Sequence, residues 1–117
     1  MTAHFYCWEP GLDIRPERSD FGHRLSEAQG QSGTSAKLSD FVAALLAKYP
    51  DLSTTDETPW ATGPLDGEIC GNFINFAVSS SWYDDGLISF VVATARTHGL
   101  HCFDPQSKKF YEAVSTQ

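Results

Sequence analysis

Apolar residues recur at helical spacing in two long stretches of the chain, which predicts two amphipathic helices. In the first, an apolar stripe at i, i+3, i+4, i+7, i+8 and i+11 begins at Leu38 and reaches Tyr49. Ser39 is a possible N-cap for this helix. Pro50 ends it, because proline lacks the backbone N–H that a helix requires.

The second helix is predicted over residues 81–99. Its apolar stripe consists of Leu87, Phe90, Val91, Thr94 and Ala95. Ser81 could cap its start, and the carboxylates of Asp84 and Asp85 suit the positive end of its dipole. Gly99 is placed for a left-handed C-terminal cap.

Residues 9–37 form a less regular N-terminal segment. Within it, Phe21, Leu25 and Ala28 have helical spacing over 19–29, with Ser19 as a possible cap, while Gly22 weakens the pattern. The stretch "GQSGTS" that follows is typical of a loop.

Short apolar and alternating runs predict strands at 3–8, 69–79, 100–104 and 109–114. The last two would form a hairpin that turns at Pro105. We therefore expect one domain over 1–117, of the α/β (or α+β) class. It would hold a small mixed sheet of about four strands with two to three helices packed on it. If the 69–79 and 100–104 strands are parallel, their crossover should be right-handed.

Charge is distributed unevenly along the chain. The sequence has 15 acidic and 8 basic residues, a formal net charge of −7. Residues 49–95 carry seven of the acids and no Lys or Arg, so the rest of the chain is neutral. A nucleic-acid partner is disfavoured, because it requires basic residues. The pattern suits a basic protein partner or a cation, or else serves only solubility.

The loop at residues 51–68 is long and acidic, and loops of this length are often functional. Trp60 lies within it between two prolines, and it either plugs onto the sheet or is an exposed anchor for a partner. The candidate partner-binding residues are Asp51, Asp56, Glu57, Trp60, Asp66, Glu68, Asp84 and Asp85.

The remaining composition predicts a cytoplasmic protein. The beginning of the sequence lacks the pattern of a signal peptide, and no apolar run has the length of a membrane helix. The three cysteines form no CxxC pair, which favours free thiols in a reducing compartment.

The stretch "HGLHCFDPQ" at 98–106 gathers residues that bind metals. A metal site needs three or four converging ligands, and neighbours on a strand point to opposite faces. His101 and Cys102 therefore diverge, and we interpret the stretch as a helix cap followed by a strand. The alternative is a small metal-dependent or hydrolytic enzyme built around His4, His98, His101 and Asp104. We expect no catalytic residues, no metal and no cofactor, since no nucleophile elbow or phosphate-binding loop is present either.

Three motifs, "KYPDL", "PWATGPL" and "ARTHGLHCFDPQS", lie between about residue 38 and residue 111. In these motifs the chain resembles a group of small bacterial proteins, some of which look like immunity proteins of bacterial toxin systems. The resemblance implies a binding protein that blocks a toxin made by the same cell. It implies no catalytic residues.

The leading hypothesis is thus a cytoplasmic immunity-type inhibitor that uses an acidic face, and its partner would be a basic protein such as a toxin. The enzyme described above is one alternative. Another is a housekeeping domain whose acidic stretch only keeps it soluble.

Overall fold

The computed structural model describes residues 2–113. Within that range the chain forms a five-stranded sheet in the order β2-β3-β1-β4-β5, together with three α-helices. In chain order the elements are β1 Thr2–Trp8, α1 Phe21–Gln29, α2 Ala36–Lys48, β2 Ile69–Cys70, β3 Phe73–Ser79, α3 Asp85–Thr97, β4 His101–Asp104 and β5 Lys109–Tyr111. The predicted combination of helices and a small sheet is confirmed.

The sheet is not mixed, because every pair of neighbouring strands is antiparallel. β1 is its central strand and pairs with β3 from Thr2↔Ser79 to Trp8↔Phe73. Its other edge pairs with β4, where Tyr6 lies opposite Phe103. β3 and β4 point the same way but do not touch as neighbours, since β1 lies between them. The crossover through α3 therefore connects two parallel strands that are separated by one strand of the sheet.

The strand predicted over 69–79 is interrupted by a tight turn. Residues 69 and 70 form β2, which folds back on β3 with Cys70 opposite Phe73. Gly71 in the turn has a φ of 63°, a conformation that favours glycine. A Cβ at this position would lie 2.7 Å from Oε1 of Gln31, so the close approach of residue 31 also requires glycine.

The two faces of the sheet bury separate apolar clusters. On one face α2 and α3 cover β1 and β3, and Phe41 packs against Phe76 with ring centroids 6.1 Å apart. On the other face α1 contributes Leu25 to a cluster built around Trp8 and Phe73. The apolar stripes of α2 and α3 thus face one side of the sheet, and α1 covers part of the other.

Both long helices are capped by residues other than the predicted ones. α2 is capped by Ser35, whose Oγ accepts from the Leu38 amide at 3.4 Å, whereas Ser39 lies inside the first turn. α3 is capped by Asp84, whose Oδ1 accepts from the Leu87 amide at 2.8 Å. Ser81 lies instead in the 3₁₀ turn that precedes α3. α1 also differs, since Asp20 rather than Ser19 precedes it, without a side-chain cap.

The predicted end of α3 is confirmed. Gly99 has a φ of 72°, its amide donates to Arg96 O at 3.0 Å, and the Leu100 amide donates to Ala95 O at 2.9 Å. This double hydrogen bond is the Schellman motif that ends many helices. Over residues 2–113, the structure contains no helix with the length and apolar character needed to cross a membrane.

Candidate functional site

The acidic loop follows one edge of the sheet. Its residues 59–61 lie beside the end of β3, where the Ser79 amide donates to Pro59 O at 2.7 Å and the Ala61 amide donates to Ala77 O at 2.8 Å. The two segments run in opposite directions, as the antiparallel bridge between Trp60 and Val78 shows. Residues that precede 59 therefore extend past the end of β3, and residues that follow 61 return toward its beginning.

This course divides the acidic residues into two groups along the edge. Asp56 and Glu57 lie at the end of β3, from which the chain also continues to Asp84 and Asp85 at the start of α3. A second group, Asp66 and Glu68, belongs to a 3₁₀ turn, Leu65–Glu68, that leads directly into β2 at the other end of β3. The negative charge therefore follows an edge, and it does not form the single compact face that the sequence suggested.

Trp60 belongs to the core and not to a binding surface. Its side chain is 1% exposed, and its Nε1 donates to Tyr49 O at 3.1 Å. The ring also packs edge-on against Phe76, with centroids 5.9 Å apart. Of the two interpretations of Trp60, the plug is confirmed and the exposed anchor is wrong.

Asp51 also has a structural role. Its Oδ1 accepts from the Ser53 amide at 3.0 Å and its Oδ2 accepts from the Leu65 amide at 3.1 Å, so the carboxylate joins the two ends of the loop. Burial raises the pKa of Asp51, but these amide hydrogen bonds outweigh it, and the net pKa lies below its usual value. A Cβ on Gly63 would lie 2.9 Å from Asp51 Oδ1, so glycine leaves room for this carboxylate.

Trp82 is the tryptophan that lies on the surface, the position that one of the two interpretations gave to Trp60. It is 37% exposed, and it is the one large hydrophobic side chain classed as exposed among residues 2–113. Its ring packs edge-on against Tyr49 at 5.6 Å. Tyr49 also contacts Trp60 and so places Trp82 at the end of β3 where the first acidic group lies. We call Trp82 together with the four carboxylates of that group the Trp82 surface; these carboxylates belong to Asp56, Glu57, Asp84 and Asp85.

A cation of the chain itself already binds beside the Trp82 surface. The Nζ of Lys48 lies 4.7 Å from the ring centroid of Phe90 and 5.6 Å from that of Tyr49. These are cation–π distances. The aromatic cluster that supports Trp82 thus holds a positive charge of the chain itself.

The four residues of the enzyme alternative do not converge. The ring of His4 hydrogen-bonds Asn75 Oδ1 at 3.0 Å, that of His98 bonds Thr94 O at 2.8 Å, and Nδ1 of His101 accepts from the Ala113 amide at 2.9 Å. Burial lowers the pKa of His101, which agrees with a neutral ring that accepts a hydrogen bond. Among residues 2–113 no group of three or more His, Cys, Asp and Glu side chains is arranged to hold a metal.

Asp104 lies on the opposite face of β4 from His101, and its hydrogen bonds stabilise the turn between β4 and β5. Its carboxylate is fully buried, with 0% exposure, and accepts four hydrogen bonds. The donors are Tyr83 Oη at 2.5 Å, the backbone amide and Nε2 of Gln106 at 3.0 and 2.5 Å, and Ser107 Oγ at 2.9 Å. The Asp-Pro-Gln-Ser motif therefore joins the β4–β5 turn to Tyr83, two residues before the start of α3.

A cleft of about 400 Å³ opens between the start of α3 and this turn. We call it the Asp104 cleft. Its helix side carries Asp85 and Ser89, and its hairpin side carries Ser107, Lys109 and Tyr111, with Tyr83 and Asp104 also among the lining residues. Burial, followed by the negative charge of Asp104, raises the pKa of Tyr111. Burial and the hydrogen bond to Asp104 likewise raise the pKa of Tyr83, so both phenols are protonated at neutral pH.

The cysteines form no reactive site in the described structure. Cys7 and Cys102 are free, fully buried and directly opposite each other on β1 and β4. Burial raises the pKa of the Cys7 thiol well above its ordinary value, and the neighbouring Cys102 raises it further. A thiol in this state is a poor nucleophile.

Comparisons of the chain with models of protein families, with curated proteins and with solved structures gave no significant match. The resemblance to immunity proteins therefore stays a prediction.

Sequence reasoning missed Trp82 as a surface residue. Its signal was the run "SSSW" immediately before Asp84 and Asp85, where a large apolar side chain stands among polar ones between a strand and a helix. In this run the sequence pattern pointed only to Ser81, as a possible cap of the helix. The tryptophan that follows Ser81 is the unusual residue for such a position.

Proposed function

We propose that this chain is a cytoplasmic protein-binding domain that inhibits a basic protein, as an immunity protein inhibits its toxin. The observation that carries the proposal is Trp82, an exposed tryptophan at the end of an acidic edge. Tryptophan is enriched among the residues that dominate binding energy in protein interfaces.

The charges around Trp82 suit a basic partner. Asp56, Glu57, Asp84 and Asp85 are all exposed, and the stretch between residues 49 and 95 contains no Lys or Arg. Opposite charges on a partner would accelerate association and fix its orientation, while Trp82 would supply apolar contact at the centre. A toxin that cleaves nucleic acid presents such a basic surface, because it must bind phosphates.

The supporting aromatic cluster favours a stable anchor. Tyr49 contacts Trp82, Trp60 and Phe90, with ring centroids at 5.6, 6.1 and 5.7 Å respectively. Trp60 in turn is fixed to β3. A side chain held in this way loses little conformational entropy when a partner binds, which makes binding tighter.

The proposal is tested with the product of the gene adjacent to the one that encodes this chain. We expect this protein to bind and lose its activity, and we expect the association rate to fall as ionic strength rises. Trp82→Ala should weaken binding by about 2 kcal/mol or more, the threshold for a dominant interface residue.

Charge reversal provides matched variants. The double substitution Asp56→Lys with Glu57→Lys should slow association strongly. Asp66→Lys with Glu68→Lys introduces the same charges at the other end of the edge and should have a smaller effect. Asp84 is not used in this test because it caps α3. Association that is insensitive to salt and to both double variants would contradict the proposal.

A further inference from the structure

The Asp104 cleft contains a buried carboxylate that has no counter-ion. Asp104 is 0% exposed, and each of its four hydrogen-bond donors is a neutral hydroxyl or amide. None of the ion pairs among residues 2–113 includes it. Buried charges are ordinarily compensated by an opposite charge. Lys109 lies opposite Asp104 in the β4–β5 pairing but forms no ion pair with it, and because Asp85 also lines the cleft, one negative charge remains for a further cation to balance.

The carboxylate cannot contact that cation directly, because four donors already occupy its two oxygens. Two of the donors are hydroxyl groups of residues that line the cleft. The hydroxyls of Tyr83 and Ser107 donate to Asp104 Oδ2, at 2.5 and 2.9 Å. Since the Ser107 hydroxyl has directed its proton at Asp104, its oxygen can accept from a ligand, whereas the Tyr83 oxygen also has the side chains of Gln106 and Ser107 as neighbours. Hydrogen bonding to a charged group polarises the Ser107 oxygen and makes it a better acceptor.

Other acceptors line the opposite side of the cleft. Asp85 contributes an exposed carboxylate and Ser89 an exposed hydroxyl, both from the first turns of α3. Lys109 lies on the hairpin side and contributes one positive charge. The lining therefore carries two carboxylates against one ammonium group, and one positive charge on a ligand would balance it.

We propose that the Asp104 cleft binds the guanidinium group of an arginine side chain on the basic partner. This inference rests on the proposed function and names the contact that determines which basic partner is recognised. Guanidinium has five N–H donors in a plane, whereas the ammonium of lysine is a compact group with three donors. Acceptors on two sides of a cleft suit the planar group, and the ring of Tyr83 or Tyr111 offers a face on which it stacks.

The cleft shares Asp85 with the Trp82 surface. Tyr83 and Asp85, which line it, follow Trp82 by one and three positions in the chain. A partner that covers Trp82 would therefore place neighbouring side chains at the mouth of the cleft. Trp82 would supply apolar contact, and the arginine of the partner would fix the partner's orientation and determine specificity.

The experiment uses small probes and does not require the partner. The full chain, labelled with ¹⁵N, is titrated with N-acetyl-arginine amide, N-acetyl-lysine amide and N-acetyl-citrulline amide, and amide shifts are recorded by NMR. We expect arginine amide to shift residues 83–89 and 104–111 with a dissociation constant on the order of millimolar. Lysine amide should bind at least threefold more weakly, and citrulline amide, which has the same shape without the charge, should produce no shift there.

Two variants and a control assign the binding. Asp85→Asn and Ser107→Ala should each weaken arginine amide at least threefold, whereas Asp56→Asn, which removes an equal charge outside the cleft, should not. Ser107→Ala is checked for folding by its overall amide spectrum. Equal binding of all three probes, or an arginine affinity that neither cleft variant changes, would overturn the inference.

The two proposals fail in different ways. If arginine amide binds in the cleft but Trp82→Ala leaves partner inhibition intact, the inference survives and the proposed surface does not. If the partner binds through Trp82 and arginine amide shifts no residue of the cleft, the inference alone is wrong.

Discussion

The side-chain amide of Gln106 hydrogen-bonds both backbone polar groups of His4, a residue 102 positions away in the chain. Its Oε1 accepts from the His4 amide at 2.8 Å, and its Nε2 donates to His4 O at 2.9 Å. The register that sets Tyr6 opposite Phe103 would place His4 opposite Pro105, which has no N–H to donate. The glutamine amide therefore replaces the missing backbone pair and continues the sheet by one position.

Replacing this amide should destabilise the fold. Gln106→Ala removes two hydrogen bonds to β1 and one to Asp104, and we expect a loss of about 1–2 kcal/mol because the site is partly exposed. The measurement is urea unfolding followed by fluorescence. Ser26→Ala, at an exposed position on α1, is the control and should change the free energy of unfolding by less than about 0.5 kcal/mol. An equal loss in both variants would show that the pairing with His4 contributes nothing specific.

Asp51 should make stability depend on pH in the acidic range. Its pKa in the folded state lies below the unfolded value of about 3.9. Its stabilising contribution is therefore complete above that value and is lost as the pH falls through the lower, folded pKa. We expect Asp51→Asn to be less stable than the parent chain at pH 7 and to approach it in stability near pH 2.

The pH dependence is measured by unfolding the two proteins in urea from pH 7 to pH 2. Asp56→Asn removes an exposed carboxylate from the same loop and is the matched control. A stability gap between parent and Asp51→Asn that stays constant over this range would contradict the role assigned to the carboxylate.

Substitution of Trp60 should mainly affect the stability of the fold, whereas substitution of Trp82 should mainly affect binding. Trp60→Ala removes a fully buried ring and should cost about 3–5 kcal/mol of stability. Trp82→Ala removes a half-exposed ring whose main described contact is an aromatic pair with Tyr49, and should cost about 1 kcal/mol. Thermal unfolding of the two variants gives the comparison. A larger loss for Trp82→Ala would mean that Trp82 is a core residue and not a contact surface.

Thiol labelling should distinguish the three cysteines. Cys70 is half-buried, whereas Cys7 and Cys102 are fully buried in the sheet. We expect iodoacetamide to modify Cys70 first and the other two only as fast as the protein unfolds. Mass spectrometry of peptides taken at intervals, with and without urea, measures the three rates. Native-state labelling of Cys7 at the rate of Cys70 would show that the strand pair opens locally.

The features that the sequence predicted correctly depend on local chemistry. The stripe of α2, the stripe of α3 and the glycine cap at Gly99 each involve residues within about one or two helical turns of one another. The β4–β5 hairpin is also local, and it is confirmed. Such patterns can be recognised in a sequence because the spacing of apolar residues that defines an element repeats within that element.

The features that the sequence did not predict depend on contacts between distant segments. Nothing near β1 indicates that it lies between β3 and β4, and nothing near Trp60 indicates that its neighbours pair with β3. The burial of Trp60 and the exposure of Trp82 both follow from that pairing. The order of charges along the chain likewise could not show that residues 59–61 lie along β3, which is why one acidic stretch became two groups.

The central position of β1 has a consequence for synthesis. This strand leaves the ribosome before any other described strand, yet both of its neighbours come much later, since His4 contacts Asn75 and Gln106 across 71 and 102 positions. In a nascent chain β1 therefore has two open edges until residues 73–79 have emerged and one open edge until residues 101–104 follow, and we expect truncated chains that end before β4 to aggregate or recruit chaperones.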